Sequence, residues 1–166
     1  SFNPETGVSL NNEYYTFKNG NKYEGEWKDG VKCGEFTVKY HNGDFYKGSF
    51  EKDMLYGHGV YTFASGDSNE GEWKDGQRSG LFVVRYRDGA KYEGPFDRDQ
   101  KHGQGVYTAA NGTCFRGEWK DGVKSGEFTI EYDNGDQYKG LFERDKKNGS
   151  GMYTLAIVGL LSTVIS

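Results

Sequence analysis

The residues that most often hold metals or act as nucleophiles are few and separate in this chain. They are three histidines and two cysteines: His41, His58, His102, Cys33 and Cys114. Imidazole and thiolate groups bind zinc, or act as base and nucleophile, when several converge on one point. The sequence contains neither an H-E-x-x-H segment nor a C-x-x-C pair. We therefore predict no catalytic residues, no metal site and no cofactor, and interpret the histidines as surface residues.

Two short acidic clusters and the many glycines could suggest ion or phosphate binding. Residues 97–99 (Asp-Arg-Asp) and 143–145 (Glu-Arg-Asp) resemble fragments of a calcium loop. Both lack the spacing of ligands over about twelve residues that such a loop needs, so solvated turns are favoured. No G-K-[ST] follows the glycines, so a phosphate-binding loop is not indicated either. The sequence indicates a protein that is not an enzyme.

The overall charge restricts the classes of partner. Lys and Arg number 21 against 25 Asp and Glu, which gives a formal charge of −4. Binding to DNA or RNA draws its affinity from a basic face, so nucleic acid is not an expected partner. The same balance weakens attraction to anionic lipid. The chain shows no basic segment followed by an apolar leader, so we expect a cytoplasmic location, including at membrane or cytoskeletal structures.

Glycine and aromatic residues are frequent and recur at a fixed interval. The chain has 26 Gly among 166 residues, together with 13 Tyr, 11 Phe and 3 Trp. One glycine series recurs every 23 residues: Gly25, Gly48, Gly71, Gly94, Gly117 and Gly140. Two positions later the ring alternates between Trp and Phe, which adds a period of 46 residues: Trp27, Phe50, Trp73, Phe96, Trp119 and Phe142. Self-similarity of this kind indicates a repeat architecture.

Each 23-residue repeat is predicted to be a β-hairpin. Tyr23, Gly25 and Trp27 alternate with charged residues, and a period of two is typical of half-exposed strands. Asn-Gly and Asp-Gly dipeptides, which tolerate positive φ, supply the hairpin turns. Gly25 lies between two rings on the aromatic side of its strand. We expect the missing side chain to leave a slot that receives a ring from the adjacent strand.

The segment from Tyr23 to Gly30, Tyr-Glu-Gly-Glu-Trp-Lys-Asp-Gly, with Gly34 following, resembles the MORN repeat (membrane occupation and recognition nexus). The resemblance recurs six times and covers residues 13 to about 155. Asn69 and Phe115 depart from it, because they replace the leading tyrosine. The resemblance implies an all-β fold, an elongated, single-layer, twisted antiparallel sheet of tandem 23-residue β-hairpin repeats. This agrees with the alternation pattern.

The repeat pattern divides the chain into three segments. Residues 1–12 are a lead-in, residues 13–155 form the array of half a repeat plus about six repeats, and residues 156–166 are an apolar tail. The tail is uncharged and rich in β-branched residues. The sequence leaves its role open between a cap, an added edge strand, a homotypic contact, a vector-derived scar and the beginning of a truncated neighbour.

The aromatic side of the predicted sheet is the candidate binding surface. One interpretation is that its rings pack only on each other and on the glycines. The other is that part of the side forms a groove for a peptide or helix of a partner protein, because large exposed apolar patches mark partner sites. The predicted partner-binding residues are Tyr23, Trp27, Tyr40, Tyr46, Phe50, Trp73, Tyr86, Tyr92, Phe96, Trp119, Tyr132, Tyr138 and Phe142.

The sequence leaves three functions open. The first is a non-enzymatic scaffold that binds proteins through the aromatic groove or a sheet edge, with a homodimer as one form. The resemblance implies association with complexes at membranes, cilia and the cytoskeleton. The second is recognition of membrane lipid or phosphoinositide, which the family name suggests and the charge pattern supports only weakly. The third is an accessory segment of a larger enzyme, such as a SET methyltransferase or a phosphoinositide kinase.

Overall fold

The computed structural model describes residues 14–157 and 160–165. The predicted lead-in, residues 1–12, lies outside this range. The chain divides into two compact units, which we call unit 1 (Ser1–Gly80) and unit 2 (Leu81–Ser166). Each unit is described by itself below.

All regular structure in the described residues is β-strand. The strands are β1 (Tyr14–Thr16), β2 (Lys22–Lys28), β3 (Val31–Lys39), β4 (Phe45–Glu51), β5 (Met54–Thr62), β6 (Ser68–Lys74), β7 (Gln77–Arg85), β8 (Lys91–Asp97), β9 (Gln100–Lys101), β10 (Gly103–Thr108), β11 (Cys114–Lys120), β12 (Val123–Glu131), β13 (Gln137–Glu143), β14 (Lys146–Ile157) and β15 (Leu160–Ile165). No helix in this part of the chain is long and apolar enough to span a bilayer.

Neighbours along the chain are neighbours in the sheet. In unit 1, β1 to β6 pair antiparallel in chain order. In unit 2, β8 pairs with both β9 and β10, and β10 to β15 follow in chain order. The predicted all-β fold of tandem antiparallel hairpins is therefore confirmed.

Two-residue turns of two kinds close the hairpins at one end, opposite the Asn-Gly and Asp-Gly turns. Asp29 and Gly30 both have positive φ, of 51° and 75°, as a type I′ turn requires. The alternate hairpins place two non-glycine residues in the same region, and Lys52 and Asp53 have φ values of 50° and 64°. Arg98 and Asp99 form the corresponding turn of unit 2, which agrees with a turn rather than a calcium loop for residues 97–99.

Most aromatic residues pack on one side of the strands, which we call the ring face, and charged residues occupy the opposite side, the charged face. Register shifts next to the strand glycines, such as that between Gly48 and Phe50, interrupt the ladder in several hairpins. The buried apolar residues are mostly rings, with few aliphatic residues: Trp27, Phe36, Val38, Tyr46, Phe50, Trp73, Phe82, Val84, Ala90, Tyr92, Phe96, Trp119, Phe128, Ile130, Tyr138 and Phe142.

The strand glycines make room for these rings in two ways. A Cβ at Gly25 would lie 2.6 Å from the Phe36 ring, which comes from the adjacent strand as predicted. At Gly48 the ring comes instead from the same strand. The Tyr46 ring lies across Gly48 and Gly59, which face each other on β4 and β5. One tyrosine ring thus covers two strand positions that have no side chain.

Part of the tail forms a strand in unit 2. Ile157 pairs with Leu160 and Leu155 with Ser162, so β15 folds back antiparallel along β14. The tail therefore adds a strand to the sheet of unit 2 at the backbone level.

Candidate functional site

The structure separates the predicted partner-binding residues into two layers. Nine are buried and form the floor of the ring face: Trp27, Tyr46, Phe50, Trp73, Tyr92, Phe96, Trp119, Tyr138 and Phe142. Four are half-buried and lie nearer to solvent: Tyr23, Tyr40, Tyr86 and Tyr132. Because the buried rings offer little surface, the half-buried ones decide what a partner could touch.

In unit 1 the accessible rings form one continuous row, which we call the tyrosine strip. Its members are Phe17, Tyr23, Tyr40, Tyr61 and Phe63. Successive ring centroids lie 5.1, 6.4, 5.7 and 4.8 Å apart in that order. Four of the rings are half-buried and Phe63 is exposed. Contacts at these distances hold the rings against each other while their outer edges stay in water.

The predicted partner-binding residues do not include three members of the strip, namely Phe17, Tyr61 and Phe63. A signal for Tyr61 was present, since Tyr-Thr recurs every 46 residues from Tyr15 onwards. Unit 2 repeats the arrangement in part. Its ring centroids lie 6.1 Å apart for Tyr86 and Tyr107, 6.0 Å for Tyr107 and Phe115, and 5.8 Å for Tyr132 and Tyr153.

A carboxylate orients the outer tyrosine of unit 1. The Tyr61 hydroxyl donates to Asp44 at 2.6 Å, and the Ala64 backbone N–H donates to the same carboxylate at 2.8 Å. These hydrogen bonds, with that of Tyr61 first, lower the pKa of Asp44. Burial, followed by the nearby Tyr23 and Asp44, raises the pKa of Tyr40 to about 12. The Tyr40 phenol therefore stays neutral near neutral pH.

In unit 2 the positions that correspond to Asp44 are occupied by Ala90 and Asp136. Asp136 reproduces the arrangement of unit 1, because it accepts hydrogen bonds from the Tyr153 hydroxyl at 3.0 Å and the Ala156 N–H at 2.9 Å. Ala90 is buried and cannot accept such a bond from Tyr107. Equivalent tyrosines therefore differ in their electrostatic surroundings.

Lysine side chains lie over the ring layer. In unit 1 the Lys32 Nζ lies 4.9 Å from the Tyr23 centroid, 5.1 Å from that of Trp27 and 5.5 Å from that of Phe50. Its charge is balanced by the Asp53 carboxylate at 2.9 Å. Lys101, Lys124 and Lys147 lie over rings of unit 2. The ring face is thus an aromatic surface that accommodates ammonium groups.

The innermost tyrosines are fixed by main-chain acceptors. The Tyr46 hydroxyl donates to the Ser49 carbonyl at 3.0 Å, and the Tyr92 hydroxyl donates to the Pro95 carbonyl at 3.3 Å. Burial is the main reason why the pKa of Tyr46 is raised, and it raises the pKa of Tyr92 to about 12. These rings serve as a rigid floor.

Two hollows occupy equivalent positions on the charged face. One in unit 1 has a volume of about 420 Å³ and is lined by Glu35, Phe45, Lys47, Gly48, His58, Val60 and Thr62. One in unit 2 has a volume of about 440 Å³ and is lined by Glu127, Lys139, Gly140, Leu141, Ser150, Gly151 and Met152. Leu141 and Met152 are half-exposed, so the second hollow has an apolar wall. Both hollows are open surface features.

The histidines and cysteines do not form a cluster in the described residues. His58 lies 3.7 Å from Glu70, and His102 lies 4.0 Å from Asp121, each on an exposed surface. Cys33 and Cys114 are free thiols. In residues 14–157 and 160–165, no three His, Cys, Asp or Glu side chains are grouped as a metal site would require.

Tandem antiparallel hairpins, glycine slots and a recurring ring ladder define a β-hairpin repeat protein. The sequence profile of the MORN repeat matches residues 23–44, 46–68, 70–91, 92–114, 115–137 and 138–157. These matches cover most of the chain, and the chain belongs to the MORN-repeat family.

Individual relatives are similar over shorter stretches or in fold alone. Alsin from Rattus norvegicus and from Homo sapiens is 40% identical over 38 residues, which are 23% of this chain and 2% of Alsin. The TCP domain of SAS-4 (dCPAP) of Drosophila melanogaster, solved in complex with a proline-rich motif of Ana2 (dSTIL), is similar with a TM-score of 0.57 and 16% identity, covering 90% of this chain and 81% of that one. The CPAP G-box domain gives a TM-score of 0.45 and 14% identity, covering 92% of this chain and 97% of that one.

Proposed function

We propose that this chain is a protein-binding repeat scaffold whose tyrosine strip holds a segment of a partner. The observation that carries the proposal is the unbroken row of accessible rings in unit 1 above a floor of buried rings. Tyrosine and phenylalanine provide a large contact area with few rotatable bonds, so little conformational entropy is lost on binding. The buried floor keeps the row in place before a partner arrives.

An extended segment fits this surface best. The strip crosses several strands, and each of its rings offers a flat apolar face beside a polar edge. Proline-rich segments are already extended, and they dock on surfaces lined with aromatic rings at low entropic cost. The TCP domain that shares this fold is in complex with a proline-rich motif, which supports the choice of a proline-rich peptide as the first probe.

The proposal includes a binding role without catalysis and a cytoplasmic setting at membrane or cytoskeletal structures. A homodimer through a sheet edge and an accessory role beside an enzyme are compatible forms of it. The chain matches only 2% of the length of Alsin, so the activity of such long relatives is not transferred to it.

Affinity capture with matched variants tests the proposal. The strip variant combines Tyr40→Ser with Tyr61→Ser. The control variant combines Lys47→Ser with His58→Ser, two exposed residues at the hollow on the charged face of the same unit. We expect the strip variant to capture at least about tenfold less of the partner protein than the wild-type chain does, because two aromatic anchors are lost. The control variant should capture as much as the wild-type chain.

The same experiment can contradict the proposal. Retention by a folded strip variant, checked by circular dichroism, would exclude the strip as the binding surface. Loss in the control variant alone would place the partner on the charged face instead. Isothermal titration of the captured segment then gives the affinity of each variant.

A further inference from the structure

Two hydroxyl groups of the tyrosine strip are available as hydrogen-bond donors. Within the described part of the chain, the hydroxyls of Tyr23 and Tyr40 make no hydrogen bond to another residue. Both rings are half-buried, so their edges reach water. Burial is the main reason why the pKa of Tyr40 is raised to about 12, and its hydroxyl therefore keeps its proton near neutral pH. The strip thus offers donors as well as apolar ring faces to a partner.

The carboxylate beside the strip, that of Asp44, is already satisfied. Asp44 is buried, and it accepts hydrogen bonds from the Tyr61 hydroxyl at 2.6 Å and the Ala64 N–H at 2.8 Å. The Asn42 side-chain amide donates to it as well, at 3.1 Å. The N–H groups of a partner therefore gain little from this carboxylate. The strip favours a segment that is rich in acceptors and poor in donors.

A proline-rich segment has this imbalance. Proline lacks the backbone N–H but keeps its carbonyl acceptor. The polyproline II conformation has no internal hydrogen bonds, so its carbonyl groups stay free for an external donor. We propose that the Tyr23 and Tyr40 hydroxyls donate hydrogen bonds to main-chain carbonyls of a proline-rich partner segment, and so select it over other extended segments. This inference rests on the proposed function and names the groups that make its site selective.

The chain holds both tyrosines in place before a partner arrives. Tyr40 is fixed at a turn, because its backbone N–H donates to the Asp44 carbonyl at 2.9 Å and its carbonyl accepts from the Gly43 N–H at 3.0 Å. The Tyr23 ring packs edge-on against Tyr40, with centroids 6.4 Å apart, and the Lys32 Nζ lies 4.9 Å from its centroid. Donors fixed in advance lose little conformational entropy on binding.

A peptide titration tests the inference without a partner protein. The full chain is titrated with a blocked hexaproline peptide, which spans about 19 Å as polyproline II, while its aromatic resonances are followed by NMR. We expect saturable shifts of Tyr23 and Tyr40. A blocked glycine-serine hexapeptide, which carries N–H groups and is not preformed, should bind at least about tenfold more weakly.

Matched variants isolate the hydroxyl groups from the rings. Tyr23→Phe and Tyr40→Phe keep the ring and remove the donor, so each should weaken hexaproline binding about three- to tenfold. Tyr61→Phe should weaken it less than Tyr40→Phe does, because Asp44 already takes that proton. Tyr56→Phe is the control, since Tyr56 is exposed and lies outside the strip. It makes the same chemical change and should leave binding at the wild-type level.

Several results would overturn the inference. These are the lack of a saturable shift with hexaproline, equal binding of the glycine-serine peptide, and wild-type affinity in both Tyr23→Phe and Tyr40→Phe. A loss in Tyr61→Phe as large as that in Tyr40→Phe would show that the hydroxyls only fix the rings. Should one variant fail to fold by circular dichroism, the other decides the test.

Failure of this inference can be told apart from failure of the proposed function. Capture of a protein by the wild-type chain, lost in the strip variant, without hexaproline binding would count against the selection of proline-rich segments alone. Hexaproline binding without capture of any protein would count against the scaffold function alone.

Discussion

The Lys32 ammonium group lies 2.9 Å from the Asp53 carboxylate, which is 21 positions away in sequence. The lysine side chain is only 12% exposed, whereas that of Asp53 is 49% exposed. Asp53 also accepts the Lys32 backbone N–H at 2.9 Å, and it is itself a positive-φ turn residue. The turn of one hairpin therefore supplies the counter-charge for the cation that lies over the rings of the hairpin before it.

Removing the carboxylate should cost more than removing the lysine. Asp53→Asn leaves a largely buried ammonium group without its counter-charge, and we expect a loss of about 1–2 kcal/mol in the free energy of unfolding. Lys32→Met keeps the apolar stem and leaves Asp53 in contact with water, so its loss should be smaller. Urea denaturation followed by tryptophan fluorescence measures both. A larger loss for Lys32→Met than for Asp53→Asn would show that the ion pair is not what holds the lysine in place.

Acid should weaken the folded state through the aspartates at the turns. Hydrogen bonds from Tyr61 and Ala64 keep the pKa of Asp44 below its unfolded value of about 3.9. A lowered pKa gives stabilisation that is fully present above about pH 4 and is lost as the pH falls through the folded pKa. The difference in the free energy of unfolding between wild type and Asp44→Asn should therefore shrink between about pH 5 and about pH 2. Urea denaturation at successive pH values measures this difference. A difference that stays constant with pH would contradict this linkage.

Adding one methyl group under Tyr46 should be strongly destabilising. A Cβ at Gly59 would lie 2.6 Å from the Tyr46 Cζ atom, and Tyr46 is fully buried. Gly59→Ala should therefore cost about 2–4 kcal/mol through overpacking. Gly34→Ala is the matched control, because a Cβ there meets nothing within 4 Å and only the φ of +87° is unfavourable. We expect about 1–2 kcal/mol for the control in thermal denaturation. Equal costs would mean that the slot under the ring is not tightly filled.

Two of the three tryptophans at equivalent positions, Trp73 and Trp119, should respond differently to substitution by phenylalanine. The Trp73 indole N–H donates to the Gly59 carbonyl at 3.1 Å. The buried Trp119 N–H has no acceptor among the described residues. Both changes remove similar volume, but Trp73→Phe also loses a hydrogen bond, so it should cost about 1 kcal/mol more. Chemical denaturation of both variants measures the difference. A larger loss for Trp119→Phe would point to an acceptor that forms in solution.

The repeat period predicted the fold because each element is local. Alternation assigned Tyr23 and Trp27 to one face, and the slot at Gly25 received a ring from the next strand as expected. The ring over Gly48 could not be assigned in the same way. That ring belongs to Tyr46 on the same strand, and it fits there because Gly59 lies opposite Gly48. This pairing follows from the register across a hairpin that contains a bulge, which alternation alone does not determine.

The candidate site was harder to predict than the fold. Alternation places Tyr40 and Phe50 on the same face and cannot tell which ring lies beneath which. Phe50 is covered by its neighbours, whereas Tyr40 lies beyond the end of its strand next to a turn and stays half-buried. The contact between Lys32 and Asp53 joins residues of different hairpins, so no local pattern indicated it.

The Asn-Gly turns have a consequence for the chemical ageing of the chain. Deamidation begins when the glycine nitrogen attacks the asparagine side chain, and in the folded chain that nitrogen is engaged. The Gly43 N–H donates to the Tyr40 carbonyl at 3.0 Å, while the Asn42 side-chain oxygen accepts from the Asp44 N–H at 2.9 Å. Attack by the glycine nitrogen therefore requires the turn to open. The rate at which these asparagines become aspartate should thus report how often the turns unfold locally.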